Sequence, residues 1–246
     1  MTGLPAVSPR TSRTLDSLLV DAKINEPSFR TGLVSRAPLV AAARASARRI
    51  VAITAPAGYG KSSLLAEWAR HEDRPVAWVS LDRFDDDPVA LLRVLAASFV
   101  SATGGDRRLA QDMQVHSDAA LSRAAPRLAT ALRTAPRPFV FLVDDLHVIT
   151  SPACHDVLSV VLAGVPDGSQ MVAASRATQP HVSRARASGD VLEIGVTELA
   201  LDADGARQIF REERVPATPA LLETVTARTE GWPVGLHLAA MIARDS

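Results

Sequence analysis

One stretch decides the fold of this 246-residue chain: Ile50-Val51-Ala52-Ile53-Thr54-Ala55-Pro56-Ala57-Gly58-Tyr59-Gly60-Lys61-Ser62. Its first five residues are apolar or β-branched and predict a buried strand. The proline and the two glycines that follow predict a tight bend. A helical pattern then runs from Lys61 to about Arg70. A strand, a glycine bend and a helix in this order are typical of a parallel sheet with crossover helices.

The glycine bend fits the Walker A pattern for binding phosphate, with Ala55 in the first glycine position. Gly58 and Gly60 can adopt backbone angles that are closed to other residues, so successive N–H groups can point at phosphate oxygens. The helix adds the positive end of its dipole to the same site. Lys61 is expected to reach the β and γ phosphates, and the Ser62 hydroxyl is expected to bind Mg²⁺.

An incidental glycine turn is the alternative, but the preceding strand and the following helix favour a phosphate site. The predicted ligand is a nucleoside polyphosphate with Mg²⁺. The residues of this stretch predicted to hold it are Pro56, Ala57, Gly58, Tyr59, Gly60, Lys61, Ser62 and Ser63.

A second buried strand, residues 139–143, ends in the paired acids Asp144 and Asp145. We expect Asp144 to bind Mg²⁺ through water and Asp145 to orient or deprotonate an attacking water. Paired acids after an apolar strand could also be a helix cap or solvated surface residues. Their position downstream of the Walker A stretch favours the metal site.

The strand Met171–Ala174 ends in Ser175 and Arg176. In one large class of Walker A proteins this strand lies between the two strands that carry the motifs, so its terminal polar residue faces the γ phosphate. Ser175 is therefore the candidate for sensing that phosphate, and Arg176 could compensate its charge. The alternative for Arg176 is a solvent-facing arginine.

The predicted fold class is α/β: a P-loop NTPase fold with a five-stranded parallel sheet, helices on both faces, and a small all-helical domain. Residues 1–26 mix Pro, Ser, Thr and Arg and predict a loose lead-in, although the short apolar run at residues 18–20 could dock onto the domain. Residues 27–196 are predicted to form the nucleotide-binding domain. From residue 197 to 246 the pattern is wholly helical. The residues from 104 to 117 are polar and irregular and predict a surface loop.

Composition limits the function classes. The chain is 47% apolar and 22% charged, and its 27 basic and 27 acidic residues give no net charge. A whole-surface field that would gather nucleic acid or anionic lipid is therefore absent. One cysteine, Cys154, excludes an internal disulfide and indicates a reducing compartment. No stretch approaches the ~20 apolar residues of a membrane span, and no signal peptide is visible. We expect a cytoplasmic protein.

The chain resembles a known family over residues 23–243. The run Thr54–Trp68 is similar to the ATPase domain of the large ATP-dependent LuxR-type transcriptional regulators, which belong to the signal-transduction ATPases with numerous domains (STAND). The similarity continues, in the same order, at Gly32–Arg36, Val76–Asp82, Asp86–Pro88, Asp144–His147, Ala174–Arg176 and Glu230–Leu236.

This resemblance implies an ATP/ADP switch rather than a turnover machine. In such proteins ADP holds a resting form, and ATP with an inducer opens a form that self-associates. The resemblance places Val34 and Arg36 beside the adenine, and places Pro233, of the Gly-x-Pro element, against the nucleotide from the helical domain. A helix restart with an aromatic anchor at Trp232 is the alternative for that element. The same resemblance places His147 close to Asp144, although a buried histidine satisfied by a neighbour would fit equally well.

Three functions remain open from the sequence. The first is a regulatory switch with slow Mg²⁺-dependent ATP hydrolysis. The second is a dedicated ATPase or phosphotransferase, and the third is a non-hydrolysing module that holds ADP as a structural cofactor. Family members continue into a winged helix, helical repeats and a DNA-binding helix-turn-helix, and residues 1–246 contain none of these elements. No DNA binding is therefore expected of these residues.

Overall fold

The core is a five-stranded parallel sheet in the order β2-β3-β4-β1-β5. The computed structural model describes residues 15–27, 32–113, 119–187 and 189–245. The strands are β1 (Ile50–Thr54), β2 (Val76–Ser80), β3 (Val140–Asp144), β4 (Gln170–Ser175) and β5 (Val191–Ile194). The predicted α/β fold with a parallel sheet is confirmed.

Helices connect the strands and continue after the last of them. They are α1 (Leu15–Ile24), α2 (Ala37–Ala45), α3 (Lys61–Arg70), α4 (Pro88–Thr103), α5 (Arg108–Asp112), α6 (Ala125–Arg133), α7 (Pro152–Leu162), α8 (Pro180–Ala187), α9 (Val196–Leu199), α10 (Ala203–Glu212), α11 (Pro219–Thr229) and α12 (Pro233–Arg244). Short 3₁₀ turns follow β2 and β3, at Arg83–Asp85 and Leu146–Val148, and a π turn, Ala120–Ala124, precedes α6. No helix in these described ranges is long and apolar enough to span a membrane.

The sheet is covered on both faces because successive strand residues point to opposite sides. In β2, Ala77 and Val79 join one apolar cluster, whereas Trp78 joins the other. The first cluster includes residues of α4, α6 and α7, and the second includes residues of α2 and α3. Burial on both faces explains why β3 and β4 are continuous apolar runs in the sequence.

The residues after β5 form a separate apolar cluster. It contains Leu201, Phe210, Leu222 and Leu236, which come from α10, α11, α12 and the segment before them. The side chain of Val34, which precedes α2 in the sequence, packs against the same cluster. The helical segment therefore has a small core of its own.

Part of the predicted loose lead-in is ordered. Residues 1–14 lie outside the described residues, but α1 packs against β2 and α4. The Lys23 ammonium donates to Asp85 at 2.8 Å and lies 3.1 Å from Asp82. Asp85 is buried, so Lys23 supplies the opposite charge that a buried carboxylate requires. A sequence without periodicity does not reveal such a long-range ion pair.

The predicted irregular loop, residues 104–117, also differs in part, because α5 forms inside it. Leu109 on this helix is buried against α4 in the first cluster. Residues 114–118 lie outside the described part of the chain.

Candidate nucleotide-binding site

The carboxyl ends of β1, β3 and β4 meet at one edge of the sheet. Thr54 lies beside Ser175, and Val143 lies beside Ala173. The backbone N–H of Ala55 donates to the Ser175 carbonyl at 3.3 Å. The three sequence stretches that were predicted to form the site therefore follow strands that are neighbours in the sheet.

The loop between β1 and α3 has the backbone of a phosphate cradle. Gly58 and Gly60 have φ of +83° and +79°, which residues with a Cβ rarely adopt. Gly60 also caps the N-terminus of α3. Within the described residues, the N–H groups of Gly58 and Gly60 have no protein acceptor. Donors left unpaired in one bend are the chemistry that an anion requires.

Lys61 lies under this loop with only 8% of its surface exposed. Its ammonium donates to the carbonyls of Ala55 at 2.7 Å and Pro56 at 2.8 Å. The pKa of Lys61 is lowered, first by burial and then by the positive charge of Arg176. The backbone therefore holds the ammonium in place at the start of α3.

Ser62 and Asp144 are the two predicted Mg²⁺ ligands. Asp144 is 6% exposed, and burial, which is the larger effect, raises its pKa. The Ser62 hydroxyl, on α3, lies close enough to the Asp144 carboxylate, on β3, to oppose this rise in pKa. Both side chains offer hard oxygen atoms of the kind that Mg²⁺ takes.

These two ligands fit Mg²⁺, which usually takes one or two protein oxygens besides phosphate oxygens and water. Across the described ranges, no group of three or more His, Cys, Asp or Glu side chains forms a metal cage. The donor set is therefore of the kind that holds the metal together with a phosphate rather than alone.

Asp145 and His147 lie beside the predicted metal ligands. Asp145 has a φ of +56°, and its N–H donates to the Asp144 carboxylate at 2.9 Å. Its own carboxylate lies 3.6 Å from His147 Nδ1, which has no hydrogen-bond partner among the described residues. The pKa of His147 is lowered, first by burial and then by Arg176. The left-handed backbone at Asp145 turns its side chain away from the strand direction, so a carboxylate stands next to the site.

The two candidates at the end of β4 differ in their contacts. The Ser175 hydroxyl donates to the Ala177 carbonyl at 2.6 Å and accepts from Gln179 Nε2 at 3.0 Å. It thus holds the turn that follows β4. Arg176 is exposed, and its charge acts on both Lys61 and His147. The structure brings Arg176 to the cluster, whereas the Ser175 hydroxyl is engaged with its own turn.

Val34, Arg36 and Pro233 lie around the junction between the sheet and the helical segment. The Arg36 guanidinium donates to the Leu199 carbonyl and, at 3.4 Å, to the Ala200 carbonyl. Burial lowers its pKa. Pro233 begins α12 directly above the phosphate loop, because Val234 N donates to the Gly58 carbonyl at 3.3 Å.

Residues 36–175 match the profile of the AAA ATPase domain family, more than half of the chain. The match contains the phosphate loop, the paired acids and the end of β4. This chain belongs to the AAA ATPase domain family. The sequence-based resemblance to the ATPase region of LuxR-type regulators is also confirmed by the relatives below.

Two relatives are HTH-type transcriptional regulators MalT. The chain is 34% identical over 233 residues to the one from Cronobacter sakazakii, which is 93% of this chain and 26% of that protein. It is 30% identical over 232 residues to the one from Yersinia enterocolitica, with the same two coverages of 93% and 26%. This AAA ATPase domain thus spans about a quarter of the length of the regulators it matches.

Two solved structures share the fold. One is the Walker-type ATPase PABY2304 of Pyrococcus abyssi, with a TM-score of 0.54 and 14% identity over 88% of this chain and 69% of that one. The other is Drosophila ORC bound to DNA, with a TM-score of 0.51 and 12% identity over 100% of this chain and 65% of that one. At such identities the likeness concerns the fold of the AAA ATPase domain alone.

Two contacts of this AAA ATPase domain escaped the sequence analysis. Glu67 on α3 is buried and accepts from Ser35 Oγ at 2.5 Å and from Arg36 N at 2.6 Å. Trp232 Nε1 donates to the Ala57 carbonyl at 3.1 Å. The signal for Glu67 was an acid inside the apolar run Leu64–Trp68. For Trp232, predicted only as an aromatic anchor, the partner lies 175 residues away, which no local pattern reveals.

Proposed function

We propose that this chain is the nucleotide-binding part of a LuxR-type transcriptional regulator and acts as an ATP/ADP switch with slow Mg²⁺-dependent hydrolysis. The observation that carries this proposal is that Ser62 lies close to the buried Asp144 carboxylate, beside Lys61. This proximity brings together the two ends of a proposed Mg²⁺–phosphate site that are 82 residues apart in the sequence (144 minus 62). The similarity to MalT proteins over 93% of the chain supports the regulatory context.

Each residue of the site has a role in this proposal. The N–H groups of the loop and the Lys61 ammonium would bind phosphate oxygens, and Ser62 and Asp144 would hold Mg²⁺. When bound, Mg²⁺ supplies a Lewis acid that neutralises phosphate charge. Asp145 stands where it can orient a water or accept its proton. Arg176 adds a positive charge from the end of β4, and Ser175 is kept as a sensor candidate that would act through the turn it holds.

A nucleotide held between two units can change the angle between them. In the proposal, residues 27–196 grip the phosphates, and residues 197–246 touch the nucleotide through Pro233. Arg36 and Val34 stand at the base side of this arrangement. Nucleotide-dependent self-association, signalling and a cytoplasmic location belong to the same proposal. DNA binding would come from parts of a longer protein like those of the relatives.

The test is a matched pair of lysine variants, because Lys23 and Lys61 are the only lysines of the chain. Lys61→Ala should weaken Mg-ADP binding at least about thirtyfold, since truncating a buried hydrogen-bonded charge costs ~2–5 kcal/mol. Lys23→Ala should retain the parental affinity. Titration calorimetry well below the unfolding temperature measures both. Parental affinity in Lys61→Ala would refute the site.

Two further measurements separate this switch from the other functions. Nucleotide released by denaturing the purified protein identifies what the site holds. Turnover well above ~1 per second would favour a dedicated ATPase, because ordinary enzyme turnover begins there. Bound ADP with no turnover at all would favour a module that holds ADP as a structural cofactor. Slow turnover together with exchange of ADP for ATP is the result expected of a switch.

A further inference from the structure

The start of α12 contacts the outer side of the phosphate loop through two backbone carbonyls. Trp232 Nε1 donates to the Ala57 carbonyl at 3.1 Å, and Val234 N donates to the Gly58 carbonyl at 3.3 Å. Both carbonyls belong to the bend that is proposed to hold phosphate. The helical segment therefore touches the loop itself and not only the strands behind it.

The indole of Trp232 fits between two glycines. A Cβ on Gly58 would lie 2.6 Å from Trp232 Nε1, and a Cβ on Gly235 would lie 2.7 Å from its Cε3. A real Cβ at either position would have to displace the ring. The absence of both side chains creates the slot that brings the indole N–H to the loop. Gly58 thus has a second structural role besides its positive φ.

The geometry of the peptide unit gives these two contacts a consequence for ligand binding. In a planar trans peptide the C=O and the N–H point in opposite directions. The Ala57 carbonyl shares its peptide unit with the N–H of Gly58, and the Gly58 carbonyl shares one with the N–H of Tyr59. Donors that hold the carbonyls on the outer side therefore turn these two N–H groups inward. The N–H of Gly58 has no protein acceptor among the described residues.

We propose that Trp232 is a positioning residue of the phosphate loop: with the N–H of Val234 it orients the Gly58 and Tyr59 amides toward phosphate. This rests on the proposed nucleotide site. Docking of α12 and binding of phosphate then favour the same conformation of the loop. Because the two events are thermodynamically linked, each stabilises the other. The proposed switch gains a direct connection from the phosphates to the helical segment.

The test compares two ligands on the full 246-residue chain. Trp232→Phe keeps an aromatic ring but removes the N–H donor. Its affinity for Mg-ADP and for magnesium pyrophosphate should fall by the same factor, about three- to tenfold, the typical worth of one hydrogen bond. Pyrophosphate has no base, so equal losses locate the effect at the phosphate loop. A loss confined to ADP would place Trp232 against the base and overturn the proposal.

A second variant and a control complete the design. Gly235→Ala leaves the indole intact but displaces it, so the affinity for both ligands should fall as it does in Trp232→Phe. This variant tests the proposal even if Trp232→Phe does not fold. Leu238→Ala changes an exposed residue of the same helix and should bind both ligands within twofold of the parent. Far-UV circular dichroism checks that each variant is folded.

Intrinsic fluorescence gives an independent readout, because Trp68 and Trp78 are buried in the core and Trp232 is only partly buried. Pyrophosphate should change the emission of the parent, and Trp232→Phe should lose that change. If Trp232→Phe keeps both the parental affinity and the parental emission change, the role proposed for Trp232 is wrong, while the nucleotide site still stands. A parent that binds neither ligand would instead overturn the nucleotide site and this inference with it.

Discussion

At the scale of single residues, the candidate site contains one buried carboxylate, Asp144, with the Ser62 hydroxyl close to it. Asp144 is 6% exposed and has no ion pair within 4.0 Å among the described residues. Burial raises its pKa, so the folded chain binds a proton at Asp144 more tightly than the unfolded chain does. The charged form that would hold Mg²⁺ therefore costs stability until the metal is bound.

The upward shift of the Asp144 pKa gives a prediction for Asp144→Asn. A raised folded pKa means that the contribution of Asp144 to stability falls as pH rises above its ordinary value of 3.8. Without ligand at pH 7, the variant should melt a few degrees above the parent, since 1 kcal/mol is worth roughly 2–4 °C at this size. The gap should close as the pH falls through the raised pKa toward 4. Calorimetric melts from pH 4 to 8 measure it.

The same variant should lose the metal-dependent part of nucleotide binding. In the parent with ADP, added Mg²⁺ should raise the melting temperature, and in Asp144→Asn it should not. Asp156→Asn, an exposed acid on α7, serves as the control and should follow the parent in both series. A Mg²⁺-dependent rise retained in Asp144→Asn would show that another residue binds the metal.

At the scale of elements, α3 has a second role besides the proposed one of presenting its N-terminus to phosphate. Six residues after Lys61, Glu67 accepts from the Ser35 hydroxyl at 2.5 Å and the Arg36 N–H at 2.6 Å. One helix thus fixes both the phosphate loop and the segment before α2. This explains an acid on a helix face that is otherwise buried against the sheet.

Removing this carboxylate should be costly because two hydrogen bonds to a buried charged acceptor are lost. We expect Glu67→Ala to lower the free energy of unfolding by about 2–3 kcal/mol. Glu67→Gln keeps one acceptor oxygen and should lose less. Glu223→Ala changes an exposed glutamate on α11 and should stay within about 0.5 kcal/mol. Urea denaturation gives the three free energies of unfolding. Equal stability of Glu67→Ala and Glu223→Ala would show that the contacts of Glu67 with Ser35 and Arg36 do not stabilise the fold.

At the scale of the whole molecule, hydrogen bonds connect the sheet to a helical segment that has an apolar cluster of its own. That cluster is distinct from the two sheet clusters, although Val34 packs against it. The junction includes the Arg36 contacts to the Leu199 and Ala200 carbonyls and the contacts of α12 with the loop. Directional bonds beside a small apolar contact are suited to reorganise when a ligand binds.

We therefore expect Arg36→Ala to loosen the helical segment while the sheet stays intact. Hydrogen bonds to a charged group are worth ~1.5–3 kcal/mol, so amide exchange in α10–α12 should accelerate about tenfold or more. Amides of β1, β3 and β4 should keep their protection. Arg211→Ala, an exposed arginine on α10, is the control. Hydrogen exchange followed by mass spectrometry resolves the segments. An equal increase of the amide exchange rate in the sheet and in the helices would show that Arg36 does not hold the helical segment specifically.

Much of the core was predictable because its signals are local. The bounds of β1 and α3 follow the predicted ones, since an apolar run or a glycine bend marks their ends. The ordered α1 and the short α5 were missed. Their stability comes from contacts with β2 and α4, among them the Lys23–Asp85 ion pair across 62 positions, and not from their own periodicity.

The sequence by itself determined the α/β class, and it predicted the glycine loop after β1 and the paired acids after β3, because backbone freedom, apolar periodicity and carboxylate chemistry are properties of neighbouring residues. Only the tertiary structure decided which groups meet around that loop. Ser62 with Asp144, Glu67 with Arg36, and Trp232 with Ala57 are pairs joined by folding. A hydrogen bond between distant residues depends on where whole elements pack, and that position is set by the burial of all the apolar faces together.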